Sequence, residues 1–504
     1  MTVFIADFPI IGMVRIQTGL LMTNFETGGF VKKSTTLMVL VFSLTICCFS
    51  EISSAKKLMA HYMPWYQSQP FRGYWGWHWT MGGALNPPTT YASHYKSLFG
   101  LYDSSDPHVL ASQAILMKFA GIDGMIADWY GIEDFWDYGL IRDSTNAFIP
   151  YIKRAGLEFS ICYEDATVKN MLNEGHFTTR SQAIAHGVSV MQWLQTNYFT
   201  DSAYLKFDNR PVLLCFGPQF FTDSEWTILF STLDPKPEFF PLKFHTPFTM
   251  RIGEFDWPSP VGGTTPSSPT SSSSIISSLD TFYNRANNYH WAHYFAGAFP
   301  KFHDIYAEAG LHSSYGYIDD EYAAFGTTYS YTLDRAFQSS ADVVQLITWN
   351  DYGEGTIIEP TEEDGYLYLE ITQQKRKQYI DPDFQYNAED LRLPVRLYNL
   401  RRENLNYPQI MALLDEAEDY LFADNLQDAE KIFNQLECNT LLSGDIDYDC
   451  RVDIDDLSTL SLAWLSNSES SEWNPACDIS QTSDGIINFL DFAVLAENWL
   501  QIAP

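Results

Sequence analysis

The chain has 504 residues, 46% of them apolar, so it can bury the core of one large domain together with smaller modules. Its 63 acidic and 30 basic residues give a formal charge of −33. That balance excludes nucleic acid and anionic membranes as expected partners, because phosphate binding needs clustered Lys and Arg.

Residues 1–55 have the features of an export signal. Lys32 and Lys33 precede an apolar run over Leu37–Phe49, and the small residues Ser53, Ser54 and Ala55 follow. The run is shorter than the roughly 20 residues that a membrane-spanning helix needs. We therefore expect a secreted protein, extracellular or attached to a cell surface, with no membrane span.

Residues 56–385 alternate short apolar runs with helical patterns. The eight runs that predict strands are Ala60–Trp65, Gly124–Tyr130, Glu158–Glu164, Pro211–Gly217, Phe239–His245, Arg251–Trp257, Tyr294–Lys301 and Val343–Asp351. The helical patterns are Leu110–Ala120, Ser144–Ala155, Ser181–Thr196, Ser224–Leu233 and Thr332–Ser340. This alternation predicts an α/β fold, a (β/α)8 TIM barrel, with Pro258–Ser278 as a flexible excursion.

Polar and aromatic residues recur where the predicted strands end, and barrel enzymes carry out their chemistry at the carboxyl ends of strands. The residues at these ends are His61, Trp65, Tyr66, Asp128, Trp129, Glu164, His245, Trp257, Asn350, Asp351 and Glu354. Taken singly, each is a weak signal, because a lone residue such as His245 is more often packed or solvated than a ligand. Together they favour a polar pocket walled by aromatic rings, which is how a carbohydrate cleft is built.

The end of the eighth predicted strand is the most informative stretch. An apolar run leads into Trp349-Asn350-Asp351-Tyr352-Gly353-Glu354, which places two carboxylates on one turn. Cleavage of a glycosidic bond needs one carboxylic acid and one carboxylate, and this turn supplies both. The alternative interpretation is an acidic, solvated loop.

Four stretches resemble glycoside hydrolase families 71 and 99, which comprise α-1,3-glucanases, endo-α-mannosidases and endo-α-mannanases built on (β/α)8 barrels. These stretches are Ala60–Tyr66, Trp75–Trp79, Ala120–Gly124 and Trp349–Pro360. The resemblance at the eighth strand is mixed: Trp-Asn-Asp-Tyr-Gly-Glu is similar to family 71, and Glu-Gly-Thr-x-Ile-Glu-Pro to family 99. Where family 99 has two glutamates, this chain has Asp351 and Glu354.

The resemblance implies a role for each of these residues. Glu354 would be the general acid/base, and Asp351 would act on water or a sugar hydroxyl. Asn350 and Tyr352 would orient the two carboxylates or bind sugar hydroxyls, Trp79 would join the sugar-binding residues, and no cofactor would take part in catalysis. Glu359 is interpreted as a structural residue of the loop.

Residues 386–440 form a predicted connector, in which the spacing of apolar residues over Pro408–Glu437 predicts a helical hairpin. Residues 443–500 form a separate module with two acidic loops. The carboxylates of the first loop occupy positions 1, 3, 5, 9 and 12 of a calcium loop. The predicted metal ligands are Asp445, Asp447, Asp449, Asp453 and Asp456 in the first loop and Asp478, Asp484, Asn488 and Asp491 in the second.

The duplication resembles a type I dockerin, which implies structural Ca²⁺, an all-α module and a cohesin-like protein partner. An insertion after Asp478 predicts weaker binding by the second loop. Cys438, Cys450 and Cys477 allow one disulfide, for which Cys450–Cys477 is the favoured pair because the two flank similar loops.

The sequence as a whole predicts a secreted, endo-acting glycoside hydrolase that cleaves an α-linked glucan or mannan and carries an attachment module. The alternative is a non-catalytic carbohydrate-binding barrel in an adhesion or scaffold component. The presence of both Asp351 and Glu354 favours the enzyme.

Overall fold

The structure is a computed structural model that describes residues 56–243, 248–261, 263–320, 328–437, 442–447, 449–480 and 484–501. The predicted export signal and His245 lie outside these residues. Within the described residues, the helices are too short or too polar to cross a membrane.

Parallel strands form the centre of the fold. The strands are β1 (Lys57–Tyr62), β2 (Gly124–Trp129), β3 (Glu158–Tyr163), β4 (Lys206–Phe207), β5 (Arg210–Cys215), β6 (Glu238–Pro241), β7 (Phe295–Ala298), β8 (Phe302–His303), β9 (Tyr317–Ile318) and β10 (Val343–Leu346). Strand β1 pairs with β2 and β10, and the parallel series continues through β3, β5 and β6 on one side and β7 on the other.

A single extended segment closes this sheet into a ring. Phe255 bridges Leu242 after β6 and Phe295 in β7, both in parallel orientation. The backbone N–H of Phe255 donates to the Pro241 carbonyl at 3.2 Å, and that of Asp256 donates to the Phe295 carbonyl at 3.1 Å. Strands β1, β2, β3, β5, β6, β7 and β10 and the extended segment at Phe255 therefore make eight parallel strands in a closed ring. This α/β fold has the arrangement of a (β/α)8 barrel.

Most helices cover the outside of the sheet, and the last two, Ile454–Leu462 and Phe489–Glu497, belong to the C-terminal module. Those between Gln69 and Gln338 are Gln69–Arg72, Trp77–Thr80, Pro107–Ala120, Tyr138–Arg154, Ala166–Asn173, Arg180–Leu194, Asp223–Leu229, Ser272–Tyr289 and Thr328–Gln338. Those that follow are Leu367–Tyr379, Leu393–Asn404, Pro408–Phe422, Leu426–Glu437, Ile454–Leu462 and Phe489–Glu497. All six residues of β2 are buried, as expected for a parallel strand that is covered on both faces.

The helix Ser272–Tyr289 corrects one prediction. Its first residues belong to the stretch Pro258–Ser278, whose richness in Pro, Gly, Ser and Thr predicts a flexible excursion. The Ser271 side chain instead caps the helix by accepting the backbone N–H of Ser274. Four apolar residues at helical spacing then bury one face of the helix: Ile275, Leu279, Phe282 and Ala286.

The helices Pro408–Phe422 and Leu426–Glu437 form a hairpin around Asp424, whose φ is +65°. The hairpin lies against the helical layer of the barrel. Arg154 pairs with Glu418 at 2.6 Å, and the Lys118 ammonium donates to the Phe422 carbonyl at 2.8 Å.

The C-terminal module has a small core of its own, which contains Ile446, Val452, Leu460, Ile487 and Leu495. Cys477 lies in this core as a free thiol. Cys450 is disulfide-bonded, whereas Cys477 is not. The predicted Cys450–Cys477 disulfide is therefore wrong, because Cys477 packs among the apolar residues of the module.

Candidate functional site

A cavity of about 240 Å³ opens at the carboxyl ends of the parallel strands. It contains four carboxyl groups, from Asp128, Glu164, Asp351 and Glu354, and its walls are largely aromatic. The other residues that line it are His61, Met63, Trp65, Tyr66, Trp77, His78, Met81, Tyr130, Phe216, Trp257, Tyr306, Tyr315 and Gly353.

The structure brings together most of the residues that the sequence singled out. His61, Trp65, Tyr66, Asp128, Glu164, Trp257, Asp351 and Glu354 all line this cavity. Trp65 stacks on the His78 ring at 4.2 Å between centroids, and Trp257 meets the edge of His61 at 4.9 Å. The functional roles of these residues stay predictions.

Trp129 was predicted to bind sugar, but it does not line the cavity. Neighbouring residues of a strand point to opposite faces, so the inward position of Asp128 sends Trp129 outward. There it is fully buried and stacks on Trp193, with 5.6 Å between the ring centroids.

Trp79, Asn350 and Tyr352 also lie behind the cavity wall and are fully buried. Trp79 packs on Tyr66 at 4.2 Å and on Tyr352 at 5.5 Å. These three residues therefore support the lining residues and do not reach the open space, which corrects the prediction that Trp79 contacts sugar.

The turn after β10 fixes the position of Asp351 and Glu354. The backbone N–H of Asp351 donates to Thr348 Oγ1 at 2.7 Å, and the backbone N–H of Glu354 donates to Asp351 Oδ1 at 2.9 Å. Trp257 Nε1 donates to Glu354 Oε2 at 3.4 Å. The two carboxyl groups therefore have different hydrogen-bond donors although they share one turn.

The pKa values of this pair are raised to different extents. Burial raises the pKa of Asp351 to about 6, while the backbone N–H groups of Glu354 and Gly353 hold it down. Burial, followed by the charge of Asp351, raises the pKa of Glu354 well above its usual range. Near neutral pH, Asp351 is then the ionised partner and Glu354 the protonated one, as an acid and a base on one site require.

A second carboxyl pair lies on neighbouring strands. Burial, followed by the charge of Glu164, raises the pKa of Asp128 well above its usual range, and burial raises that of Glu164 to about 7. The larger shift is that of Asp128, so near neutral pH this residue keeps its proton. This pair can accept and donate hydrogen bonds to a polar ligand without carrying two charges.

A buried polar network supports the turn that carries Asp351 and Glu354. Asn350 Oδ1 accepts the backbone N–H of Met63 at 2.7 Å, and Asn350 Nδ2 donates to the Met63 carbonyl at 3.0 Å. The Tyr66 hydroxyl donates to the Asn350 carbonyl at 2.9 Å and accepts the backbone N–H of Tyr352 at 3.1 Å. These bonds tie the turn to the chain that follows β1.

Glu359 is the centre of the same network, as its interpretation as a structural residue anticipated. Its carboxyl group accepts hydrogen bonds from the side chains of Tyr352, Gln113, Trp349 and Ser97, at 2.5, 2.5, 3.2 and 3.3 Å. Burial raises its pKa to about 7 in spite of these donors. It is 1% exposed and does not reach the cavity.

Some of the aromatic residues that line the cavity are not among the site residues predicted from the sequence. Trp77 and His78 belong to the Trp-rich stretch after β1, and Tyr130 follows Trp129 directly, so these three carried a signal. Tyr306 and Tyr315 come from a long loop with no strand or helix pattern. Asp304 holds this loop by accepting the backbone N–H groups of Tyr306 and Tyr315 at 3.3 and 2.7 Å.

A second cavity of about 660 Å³ adjoins the first. The two share Trp77, His78 and Tyr130, and the second is also lined by Trp136, Asp137, Tyr138 and Asn170. Trp136 is 64% exposed. The polar cavity therefore continues into an open, aromatic groove.

The first acidic loop of the C-terminal module brings its carboxylates together. Carboxylate oxygens of Asp445, Asp447 and Asp449 lie within 4.8 Å of one another. Burial, followed by the charge of Asp456, raises the pKa of Asp447 to about 6. Convergent hard oxygen donors of this kind fit Ca²⁺.

The second loop repeats the local bonding of the first. Asp456 accepts the backbone N–H of Ile446 and of Asp453, and Asp491 accepts those of Ile479 and Asn488 in the same order. The backbone N–H of Cys450 donates to Asp445, and that of Gly485 donates to Asp478. Asp478 therefore takes the place that Asp445 has in the first loop, and the insertion falls between Ser480 and Asp484.

No protein-family model and no curated protein matches the chain. Among solved structures, the chain is similar to the GH99 endo-alpha-mannosidase from Bacteroides thetaiotaomicron in complex with BIS-TRIS-propane. The identity is 16% and the TM-score 0.46, over 65% of this chain and 98% of that one.

A second structure of a GH99 endo-alpha-mannosidase from Bacteroides thetaiotaomicron gives 15% identity and a TM-score of 0.46, over 64% of this chain and 97% of that one. A glycoside hydrolase-like protein gives 10% identity and a TM-score of 0.46, over 64% and 95%. At these identities and TM-scores, the likenesses carry no argument about the activity of this chain.

We predict that Glu359→Gln destabilises the fold by about 1–3 kcal/mol, because an amide nitrogen would face donors that now point at a carboxylate. Thermal unfolding measures this effect. Glu354→Gln is the matched control and should unfold close to the wild-type temperature, since its carboxyl group faces the cavity. Equal unfolding temperatures for Glu359→Gln and the wild type would contradict the supporting role of Glu359.

Proposed function

We propose that this chain is an endo-acting glycoside hydrolase that cleaves an α-linked polysaccharide of glucan or mannan type. The observation that carries the proposal is the pair of carboxyl groups on one turn, Asp351 buried and Glu354 half-buried, which differ in their pKa values. Glycosidic cleavage requires one protonated and one ionised carboxyl group at the scissile bond. The preference for α-linkages comes from the motifs that resemble families 71 and 99.

In this proposal, Glu354 protonates the leaving oxygen and Asp351 accepts a proton from water or a sugar hydroxyl. Trp257 donates a hydrogen bond to Glu354 and keeps its carboxyl group directed at the cavity. Asp128 and Glu164 bind sugar hydroxyls, and the rings of Trp65 and Tyr66 pack on the sugar. The aromatic groove that adjoins the cavity gives room for further sugar units, which favours internal cleavage of a chain.

We also propose that the protein is exported and that its C-terminal module binds Ca²⁺ and a cohesin-like protein. The convergence of Asp445, Asp447 and Asp449 supports the calcium site, with Asp453 and Asp456 completing the donor set. Exposed apolar side chains favour a protein partner, because soluble modules seldom expose such groups together. These are Leu462, Leu465, Phe489 and Leu500, with exposed fractions of 79%, 67%, 73% and 70%.

The activity is tested by incubating the purified protein with α-1,3-glucan, α-mannan and β-linked controls and measuring new reducing ends. We expect Glu354→Gln and Asp351→Asn each to lower turnover about 10²- to 10⁴-fold, because each removes a proton-transfer group. Glu362→Gln is the matched control: this exposed carboxylate pairs with Lys96 and lies outside the cavity.

Wild-type turnover in either cavity variant, on a substrate that the wild type cleaves, would refute the assignment. Binding of polysaccharide without any new reducing ends would instead support a non-catalytic carbohydrate-binding barrel.

The pH dependence of kcat/KM follows from the two pKa values. Activity should rise as the pH increases through about 6, where Asp351 loses its proton and becomes a base. It should fall again only where Glu354 loses its proton, well above the usual pKa of a glutamate near 4.3. A profile that already declines between about pH 4 and 5 would contradict the role of Glu354 as the acid.

Calcium is tested by calorimetry of the full chain with and without a chelator. We expect removal of calcium to unfold the module of residues 443–500, because its clustered carboxylates then repel one another, and to leave hydrolysis unchanged. Asp445→Asn should weaken calcium binding, whereas Asp455→Asn, at an exposed helix residue outside the predicted ligand set, should not. A melting transition that does not respond to calcium would refute the site.

A further inference from the structure

A second cluster of metal-ligand type lies at the floor of the barrel cavity. His61, Asp128 and Cys162 come from the consecutive parallel strands β1, β2 and β3. One ligand atom from each lies within 4.8 Å of the other two, and all three residues are buried. His61 and Asp128 also line the cavity, so the cluster is reached from the open side of the barrel.

Two polar atoms of the cluster that can act as metal ligands have no hydrogen-bond partner among the described residues. They are Nε2 of His61 and Oδ1 of Asp128, and Cys162 is a free thiol. A buried polar atom that is left without a hydrogen-bond partner destabilises the folded protein. A ligand that bound both atoms would remove that cost, so the pair points to an occupant of the cavity floor.

The opposite side of the His61 ring is already held. Gln345 Nε2 lies 3.2 Å from His61 Nδ1, and Gln345 Oε1 has no partner in the described part of the chain. If the side-chain amide of Gln345 is flipped, its Oε1 accepts a hydrogen bond from Nδ1–H of His61. The Nε2 atom of His61 then carries a lone pair that can bind a metal ion. A second residue that fixes the ring in this way is typical of histidines that bind metal ions.

We propose that His61, Asp128 and Cys162 bind one zinc-like divalent ion such as Zn²⁺ or Cd²⁺. Imidazole, carboxylate and thiolate together suit ions of this class, whereas Ca²⁺ and Mg²⁺ prefer oxygen ligands alone. On binding, the S–H bond of Cys162 breaks and its proton passes to solvent, and the O–H bond of Asp128 breaks and its proton passes to Glu164 or to solvent. A sulfur–metal bond and an oxygen–metal bond form. No electron is transferred.

An ion at this place would occupy the floor of the cavity in which we place the sugar. It would therefore inhibit hydrolysis in competition with the substrate. This consequence rests on the proposed function, but the binding of the ion does not.

The test is a titration of the full chain with Cd²⁺ while excess Ca²⁺ fills the acidic loops, followed by the ultraviolet charge-transfer band of a cadmium–thiolate bond. We expect the wild type to bind about one equivalent more than Cys162→Ser, and to show a band that this variant lacks. Cys215→Ser and Cys477→Ser are the matched controls, because each removes another buried free thiol and should keep the band.

His61→Gln should keep a thiolate but weaken cadmium binding at least about tenfold. Cadmium NMR of the wild type needs no variant and should show one ion with a single sulfur ligand. An unchanged band in Cys162→Ser, an unchanged affinity in His61→Gln, or no such signal in the NMR spectrum would overturn the proposal. If the ion binds as expected and no polysaccharide is cleaved, only the proposed function fails.

Discussion

The amide of Asn350 joins the two ends of the barrel ring. Its oxygen and nitrogen bind the backbone of Met63 after β1, while its own backbone continues the chain that leaves β10. Because Asp351 follows directly, the position of the candidate catalytic turn depends on this clamp. Tyr66 and Glu359 strengthen the clamp from either side, and the aromatic rings around them exclude water.

The clamp allows four carboxyl groups to lie in one buried cavity. Such groups cannot all be ionised, because each charge raises the pKa of the others and burial raises it further. The cavity therefore holds shared protons near neutral pH, with one proton between Asp128 and Glu164 and another on Glu354. A site that holds acids and carboxylates together is suited to moving protons to and from a neutral, hydroxyl-rich ligand such as a sugar.

The alternation of strands and helices could be predicted because buried parallel strands form continuous apolar runs, as Gly124–Trp129 does. The carboxyl groups that line the cavity could also be predicted, because they stand where the apolar runs end. The outward direction of Trp129 was also available from the two-residue period of a strand, once Asp128 was placed inside. The described residues contain no helix between β6 and the extended segment at Phe255, and the short spacing between His245 and Arg251 leaves little room for one.

Other features depend on contacts that a local pattern does not contain. The Ser-rich segment before Leu279 forms a helix because the few apolar residues of this helix pack against the rest of the protein and are buried. Tyr306 and Tyr315 reach the cavity because Asp304 organises their loop through backbone N–H groups. The predicted pairing of Cys450 with Cys477 was wrong because Cys477 packs into the module core as a free thiol, and the spacing of the cysteines alone does not reveal that packing.

The most direct test of the central claim is a crystal structure of the Glu354→Gln variant with an α-linked oligosaccharide of a substrate that the wild type cleaves. The account predicts that the glycosidic oxygen lies within hydrogen-bond distance of the residue 354 side chain, with Asp351 beside the same sugar and Trp257 against it. A sugar bound away from Asp351 and residue 354, with the cavity left open, would contradict the account.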